Sequence, residues 1–209
     1  MQIPRHLAAA ALTLAALAAA NSAQAATAAS GNAVPEPRAA SVLAPFSGGS
    51  FETPSVPAGS FATYTTGQSV GPWTVLSGTV DLVGPGFWAA ADGDQSFDLD
   101  GYSAGTISQT FATAPGTTYT VSYALAGNPA AGPAVKTGAA LIDGQNAQNF
   151  SFDTTGKSFA DMGYATQGFT FLATKPSTTL TFASTTPGAY GPVLDNIQIT
   201  ATCCKQSCV

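Results

Sequence analysis

From residue 49 onward the chain alternates apolar and polar residues in short runs. In "TTYTVSYALAG", Tyr119, Val121, Tyr123 and Leu125 fall on one side, and Thr118, Thr120, Ser122 and Ala124 on the other. A period of two is the mark of a β-strand, whose successive side chains point to opposite faces. In "GTISQTFAT", Ile107 and Phe111 face inward with Gln109 between them. The same pattern predicts strands in "PWTVLS", "GTVDLV", "QSFDLD", "AVKTGAALI", "QNFSFD", "QGFTFLA", "TTLTFAS" and "VLDNIQIT". Between them stand turn-forming stretches such as "GPGF", "APGT", "GNPAAGP" and "TTPGAYGP". Ten short strands and no helical periodicity predict an all-β fold, a two-sheet jelly-roll β-sandwich.

The last of these strands carries an oddity. By strict alternation Asp195 falls on the same face as Val193, Ile197 and Ile199, which places a carboxylate on the core face. A lone buried carboxylate costs several kcal/mol unless it is paired, hydrogen-bonded or bound to a cation. Asp195 therefore sits beside a bulge and accepts backbone N–H groups, caps a turn, or ligates a metal.

The two ends of the chain lie outside this pattern. Residues 1–25, "MQIPRHLAAAALTLAALAAANSAQA", have a basic start, an apolar run and a small-residue "AQA" end. They read as a secretory signal peptide, so the mature protein is expected to be secreted and extracellular, periplasmic or surface-associated. No second long apolar run predicts a transmembrane anchor. Residues 26–47 are Ala/Pro-rich and aperiodic, a flexible lead-in to a domain at 48–201. The tail, 202–209, holds all three cysteines, Cys203, Cys204 and Cys208. In an oxidising compartment Cys204 and Cys208 can close a small loop, leaving the third free or joined to another chain in a disulfide-linked dimer.

Composition narrows the chemistry. The one histidine, His6, lies in the signal segment, so a mature chain has none for a Ser-His-Asp triad or a His-ligated zinc. The net charge of −5 and the lack of a basic cluster argue against nucleic acid, which needs phosphate-neutralising Lys and Arg. Only 8% of residues are charged, which suits strands with Thr/Ser outer faces.

Six segments occur in order: "GSFETP", "GPWTVLSGTVDLV", "ADGDQSFDLDG", "GTISQTFATAPGTTYTVSYALAGN", "MGY…FTFLAT…TTLTFAST" and "GPVLDNIQI". Together they resemble the bacterial choice-of-anchor C family, itself similar to a plant cell-wall domain family of unknown function with a galactose-binding-like jelly roll. The resemblance covers about residues 48–200. It implies a galactose-binding-like jelly-roll β-sandwich, an extracellular or cell-wall setting and association with carbohydrate. In related sandwich modules an acidic residue in the opening "FE" and one in the closing "DN" hold a structural calcium. Those positions match Glu52 and Asp195 here. The scarcity of cationic partners and the taste of Ca²⁺ for carboxylate and carbonyl oxygens agree with that assignment.

A second acidic run, "DGDQSFDLD", fails as a calcium loop. Counting from Asp92, an EF-hand needs Gly at position six and Glu at position twelve, where Phe97 and Ser103 stand. Asp92 and Asp94 are expected in a turn, with Asp98 and Asp100 on one strand face and Phe97 and Leu99 on the other. A glycosidase needs two carboxyl groups at a set separation. Asp pairs exist, but after the signal the chain has only two Glu, Glu36 in the lead-in and Glu52. The leading expectation is a non-catalytic module that binds a polysaccharide or surface glycan. An adhesive protein that binds other proteins is the alternative, and a glycoside hydrolase with an Asp pair the third.

Sugars offer apolar C–H faces ringed by hydroxyls, which proteins meet with exposed aromatic planes and Asn, Asp or Gln. Trp73 alternates with Val75 and is expected in the core, as are Tyr119 and Tyr123. Trp88 sits in the loop-like "GPGFWAAADG", either as a plug at one end of the sandwich or as a platform. Tyr102 follows Gly101 at a strand end, Tyr190 precedes the last strand, and Asn128 opens a Gly/Pro-rich loop. Loops at the rim of a sandwich commonly form its ligand site, so Trp88, Tyr102, Asn128 and Tyr190 are the candidate contacts. One shallow platform corresponds to a Kd between about 1 mM and about 10 μM.

Overall fold

The computed structural model describes residues 45–202. The signal segment, most of the lead-in and the three cysteines, including the Cys204–Cys208 pairing and the tail-linked dimer, lie outside the described residues. Twelve strands and no helix are present among the described residues. In chain order they are β1 Phe61–Thr65, β2 Ser69–Val70, β3 Trp73–Ser77, β4 Thr79–Val83, β5 Ser96–Asp98 and β6 Thr106–Ala112. There follow β7 Thr118–Gly127, β8 Val135–Ile142, β9 Gln145–Asp153, β10 Ala165–Leu172, β11 Ser177–Ser184 and β12 Pro192–Thr202. They form two six-stranded antiparallel sheets, ordered β1-β4-β5-β12-β7-β10 and β2-β3-β6-β11-β8-β9. From β6 to β12 the chain crosses from sheet to sheet at almost every connection, which makes the sandwich a jelly roll.

All ten expected strands are present. β1 and β2 are additional. "FATYT" was invisible to the apolar pattern because it is an edge strand whose residues are half-buried or exposed throughout.

The inner row Leu82–Phe97–Leu194–Leu125 runs straight across four neighbouring strands of the first sheet. It packs against Trp73, Ile107, Phe111, Leu180 and Phe182 of the second. Trp73, Val121, Tyr123 and Leu125 are buried as the alternation predicts. The segment before β1 closes one end of this core. Phe51 stacks on Phe97 at 4.9 Å, and Phe46 meets Trp73 and Phe111 edge-on. Gln109, inward-facing as expected, hydrogen-bonds both backbone groups of Ser47. A buried amide is thereby satisfied and the entering chain fixed.

The alternation of β12 needs correction. Its register shifts between Asp195 and Gln198, and Asn196 adopts a positive φ of 46°. The extra residue of this bulge reverses which residues face inward. Leu194 and Ile197 enter the inter-sheet core, with Ile199 packed beside them, while Val193 belongs to a separate apolar cluster. Asp195 shares the face of Val193, not that of Ile197 and Ile199. It is buried on the outer face of its sheet, beneath the β4–β5 loop.

Candidate functional site

That outer face carries the functional geometry. At one register across five strands stand Thr63, Asp81, Asp98, Val193 and Ala126. The β4–β5 loop, residues 84–95, folds over this row. Trp88 buries its ring against Val83, Ala126, Met162 and Val193 and donates its indole N–H to Ser96 Oγ at 2.7 Å. Ala89 N donates to Phe159 O at 2.9 Å, which ties the loop to the β9–β10 connection. Phe61, Phe87, Trp88 and Phe159 then form one run of touching rings with centroids 5.4–5.8 Å apart. The arrangements are mostly edge-to-face, the favoured geometry of aromatic pairs.

Beside this run opens a cavity of about 280 Å³. Trp88, Tyr102, Asn128 and Tyr190, the four residues singled out from the sequence, all line it. Phe61, Tyr102, Phe159 and Tyr190 are all partly exposed, Tyr102 at 77%. Asp81, Asp98 and Asn128 supply its polar lining. A second concavity shares the Phe87, Trp88 and Phe159 side chains. The plug and platform readings of Trp88 are therefore not exclusive, because a buried ring fills a second core and shows part of itself to the cavity.

The polar lining is rigid. Asp98 accepts from Asn128 Nδ2 at 2.8 Å, from the Asp100 amide at 2.9 Å and from the Gly191 amide at 3.1 Å. Asn128 Oδ1 in turn accepts from the Ala130 amide at 3.0 Å. Asp81 accepts from Thr63 Oγ1 at 2.6 Å. Burial pushes the Asp98 carboxyl well above the usual carboxylate range, although the Asp100 amide and Asn128 oppose this. Burial also raises Asp81. Behind the cavity lie Asp100 and Lys136, both fully buried. Neither Asp100 oxygen has a partner in full hydrogen-bond geometry among the described residues, and burial pushes its carboxyl up to about 6 against the opposing pull of Ser184, Lys136 and the Gly105 amide. Lys136 Nζ donates to Ala131 O at 2.8 Å, and burial lowers its pKa against the pull of Asp98 and Asp100.

Glu52 and Asp195 converge on the β4–β5 loop. Glu52 Oε1 accepts from the amides of Asp94 and Gln95, both at 2.9 Å. Asp195 Oδ2 accepts from those of Ala91 and Asp92, and its Oδ1 from that of Asn196. The carboxylates thus meet the backbone donors of one loop. Glu52 Oε2 takes no hydrogen bond among the described residues, which leaves oxygen lone pairs for a cation. Among those residues no three His, Cys, Asp or Glu side chains gather as a metal cluster. A calcium ion here would need backbone carbonyls or water to complete its shell.

Sequence reasoning missed Phe61, Asp81, Phe87 and Phe159. Asp81 alternates with Val80 and Leu82 in "TVDLV", but only the register across β4 and β5 sets it opposite Asp98.

Residues 44–200 match the family described as "Protein of unknown function (DUF642)", and the chain belongs to that family. It is 33% identical over 158 residues to Halomucin of Haloquadratum walsbyi, an alignment covering 72% of this chain and 2% of Halomucin. Among solved structures, it is similar to a family 35 carbohydrate binding module from Clostridium thermocellum, with 13% identity and a TM-score of 0.47. That match covers 68% of this chain and 99% of the other. It is also similar to the CBM22-1 xylan-binding domain from Paenibacillus barcinonensis, with 17% identity, a TM-score of 0.45 and coverage of 70% and 97%.

Proposed function

We propose that the protein is a secreted, non-catalytic glycan-binding module whose ligand enters the cavity on the outer face of the first sheet. One observation carries this reading: four partly exposed aromatic side chains, Phe61, Tyr102, Phe159 and Tyr190, border a cavity with Asp81, Asp98 and Asn128 in its lining. Exposed aromatic planes match the C–H faces of a pyranose, and fixed carboxylate and amide oxygens accept its hydroxyls. The volume, about 280 Å³, suits one sugar ring. The neighbouring concavity, sharing three aromatic side chains, gives room for the next unit of a polymer.

Secretion through residues 1–25, the choice-of-anchor C resemblance and a structural calcium at Glu52 and Asp195 belong to this reading. The ion would fasten the β4–β5 loop that carries Phe87 and Trp88. The test is a pull-down of the chain without its first 25 residues against insoluble polysaccharides, in calcium and then in EDTA. Retention on a particular polymer is expected. A folded protein retained on none would overturn the reading in favour of a surface protein that binds other proteins.

A further inference from the structure

Asp81 and Asp98 are paired directly across β4 and β5, and both line the cavity. Like charges directly opposite one another in an antiparallel pair are destabilising. Among the described residues no Lys or Arg lines the cavity to offset them. The buried Lys136 ammonium donates to the Ala131 carbonyl and offsets Asp98 and Asp100, not Asp81. Asp81 Oδ1 accepts from Thr63, while its Oδ2 has no donor among the described residues. The rings around the pair add the negative faces of their π-systems, which attract cations. Asp98 is already held by three donors, so the unused Oδ2 of Asp81 and the ring faces are what favour positive charge in the ligand. A neutral sugar needs hydroxyl acceptors but not a carboxylate with an unused oxygen, and a uronate would be repelled.

Resting on the glycan-binding reading above, we infer that the cavity selects an amino sugar with a free, protonated amine, which sits between Asp81 and the aromatic wall. The acetal and hydroxyl oxygens flanking such an amine lower its pKa toward neutrality, so it keeps its proton on the acid side of neutral pH. The N-acetylated form lacks the charge, and neutral and acidic sugars lack the donor.

The experiment is calorimetric titration of the full chain at about pH 6, where the amine is protonated, with oligomers of glucosamine, N-acetylglucosamine, glucose and galacturonic acid, and with choline. Glucosamine oligomers are expected to bind about tenfold or more tighter than the other sugars, the scale of a hydrogen bond to a charged group. Asp81→Asn keeps an acceptor for Thr63 and should abolish that preference while leaving weak binding to neutral oligomers. Tyr102→Ala should weaken all the sugars in parallel and leave the preference intact. Equal binding of glucose or galacturonate oligomers would overturn the amino-sugar inference and leave the glycan site standing. Binding of no sugar, with or without binding of choline, would overturn both.

Discussion

The Asp195 carboxylate accepts the backbone N–H of Ala91 at 2.7 Å across 104 positions of sequence. Its Oδ2 also takes the Asp92 amide at 2.9 Å. The bulge at Asn196 is what turns this side chain outward, away from the inter-sheet core. Asp195→Ala would strand these amides and is expected to cost about 2–4 kcal/mol, because each buried unsatisfied donor costs about 1–3 kcal/mol. Urea unfolding would measure it, with the midpoint falling and the slope unchanged.

A calcium ion at Glu52 and Asp195 makes a separate prediction. Ligand that binds only the folded state stabilises by mass action, about 2.7 kcal/mol at 100 times its Kd. Tm should rise on adding calcium and fall back with EDTA. In Glu52→Gln, whose side chain keeps an acceptor for the loop amides but loses the charge, the calcium-dependent rise should vanish. If calcium leaves Tm unmoved in the wild type, the two carboxylates serve the loop alone.

The strands were legible because each one alternates in its own sequence. What was not legible lives between strands. That Asp98 and Asp100 share a face could be read from "SFDLD", but that Asp81 stands against Asp98 is a fact of register. The inward Gln109 was visible, while its partner Ser47 was not. The cost of burying its charge marks Asp195 as unusual in the sequence, but strict alternation puts it on the wrong face, because no local signal announces the bulge. The four candidate contacts stand in loops or at a strand end of the sequence pattern. They meet at one cavity because those loops lie over the outer face of one sheet, and the edge strand that adds Phe61 lacked a contrast of buried and exposed residues.

Asp98 and Asp100 give the fold an unusual pH dependence. Burial raises both carboxyls, Asp100 to about 6. In the unfolded chain an Asp titrates near about 3.9. Between about pH 4 and about pH 6 the folded protein therefore holds more protons than the unfolded one, and stability falls as pH rises through that window. Tm is expected to be higher at about pH 4.5 than at about pH 7, the reverse of ordinary acid denaturation. Asp100→Asn, which removes a buried charge without a partner in full hydrogen-bond geometry, should raise Tm at neutral pH and flatten the profile. A profile unchanged by that substitution would place the dependence elsewhere.

Gly49 and Ile197 join the two ends of the domain. The Ile197 amide donates to the Gly49 carbonyl at 2.9 Å, and a Cβ on Gly49 would overlap the Ile197 carbonyl. The strain is one of close approach, since the clash is with backbone that cannot swing aside. Gly49→Ala should push the entering segment off β12, loosen Phe51 from Phe97 and cost more than the few tenths of a kcal/mol typical of surface changes. Gly59→Ala, also outside the strands but with open space around its Cβ position, isolates the effect of a positive φ of 69° from that of a clash. Hydrogen exchange should show faster exchange at Ile197 in the first variant and none in the second.

Tyr102 and Trp88 line the same cavity but should respond oppositely to truncation. Tyr102 is 77% exposed, so Tyr102→Ala should leave stability within about 0.5 kcal/mol. It removes one aromatic face from the ligand, worth about 1 kcal/mol or roughly fivefold in Kd. Trp88 fills the outer core and holds Ser96, so Trp88→Ala should cost about 3–5 kcal/mol of stability. Any loss of binding in that variant then reports the collapse of the β4–β5 loop as much as a lost contact. Trp88→Phe keeps most of the ring volume and gives up the Ser96 hydrogen bond, so it should fold with a smaller loss. Measuring melting and glycan affinity on all three separates the wall of the site from its support. If Tyr102→Ala binds like the wild type while Trp88→Phe, still folded, does not, the ligand seats in the neighbouring concavity along Phe87 and Phe159 rather than against Tyr102.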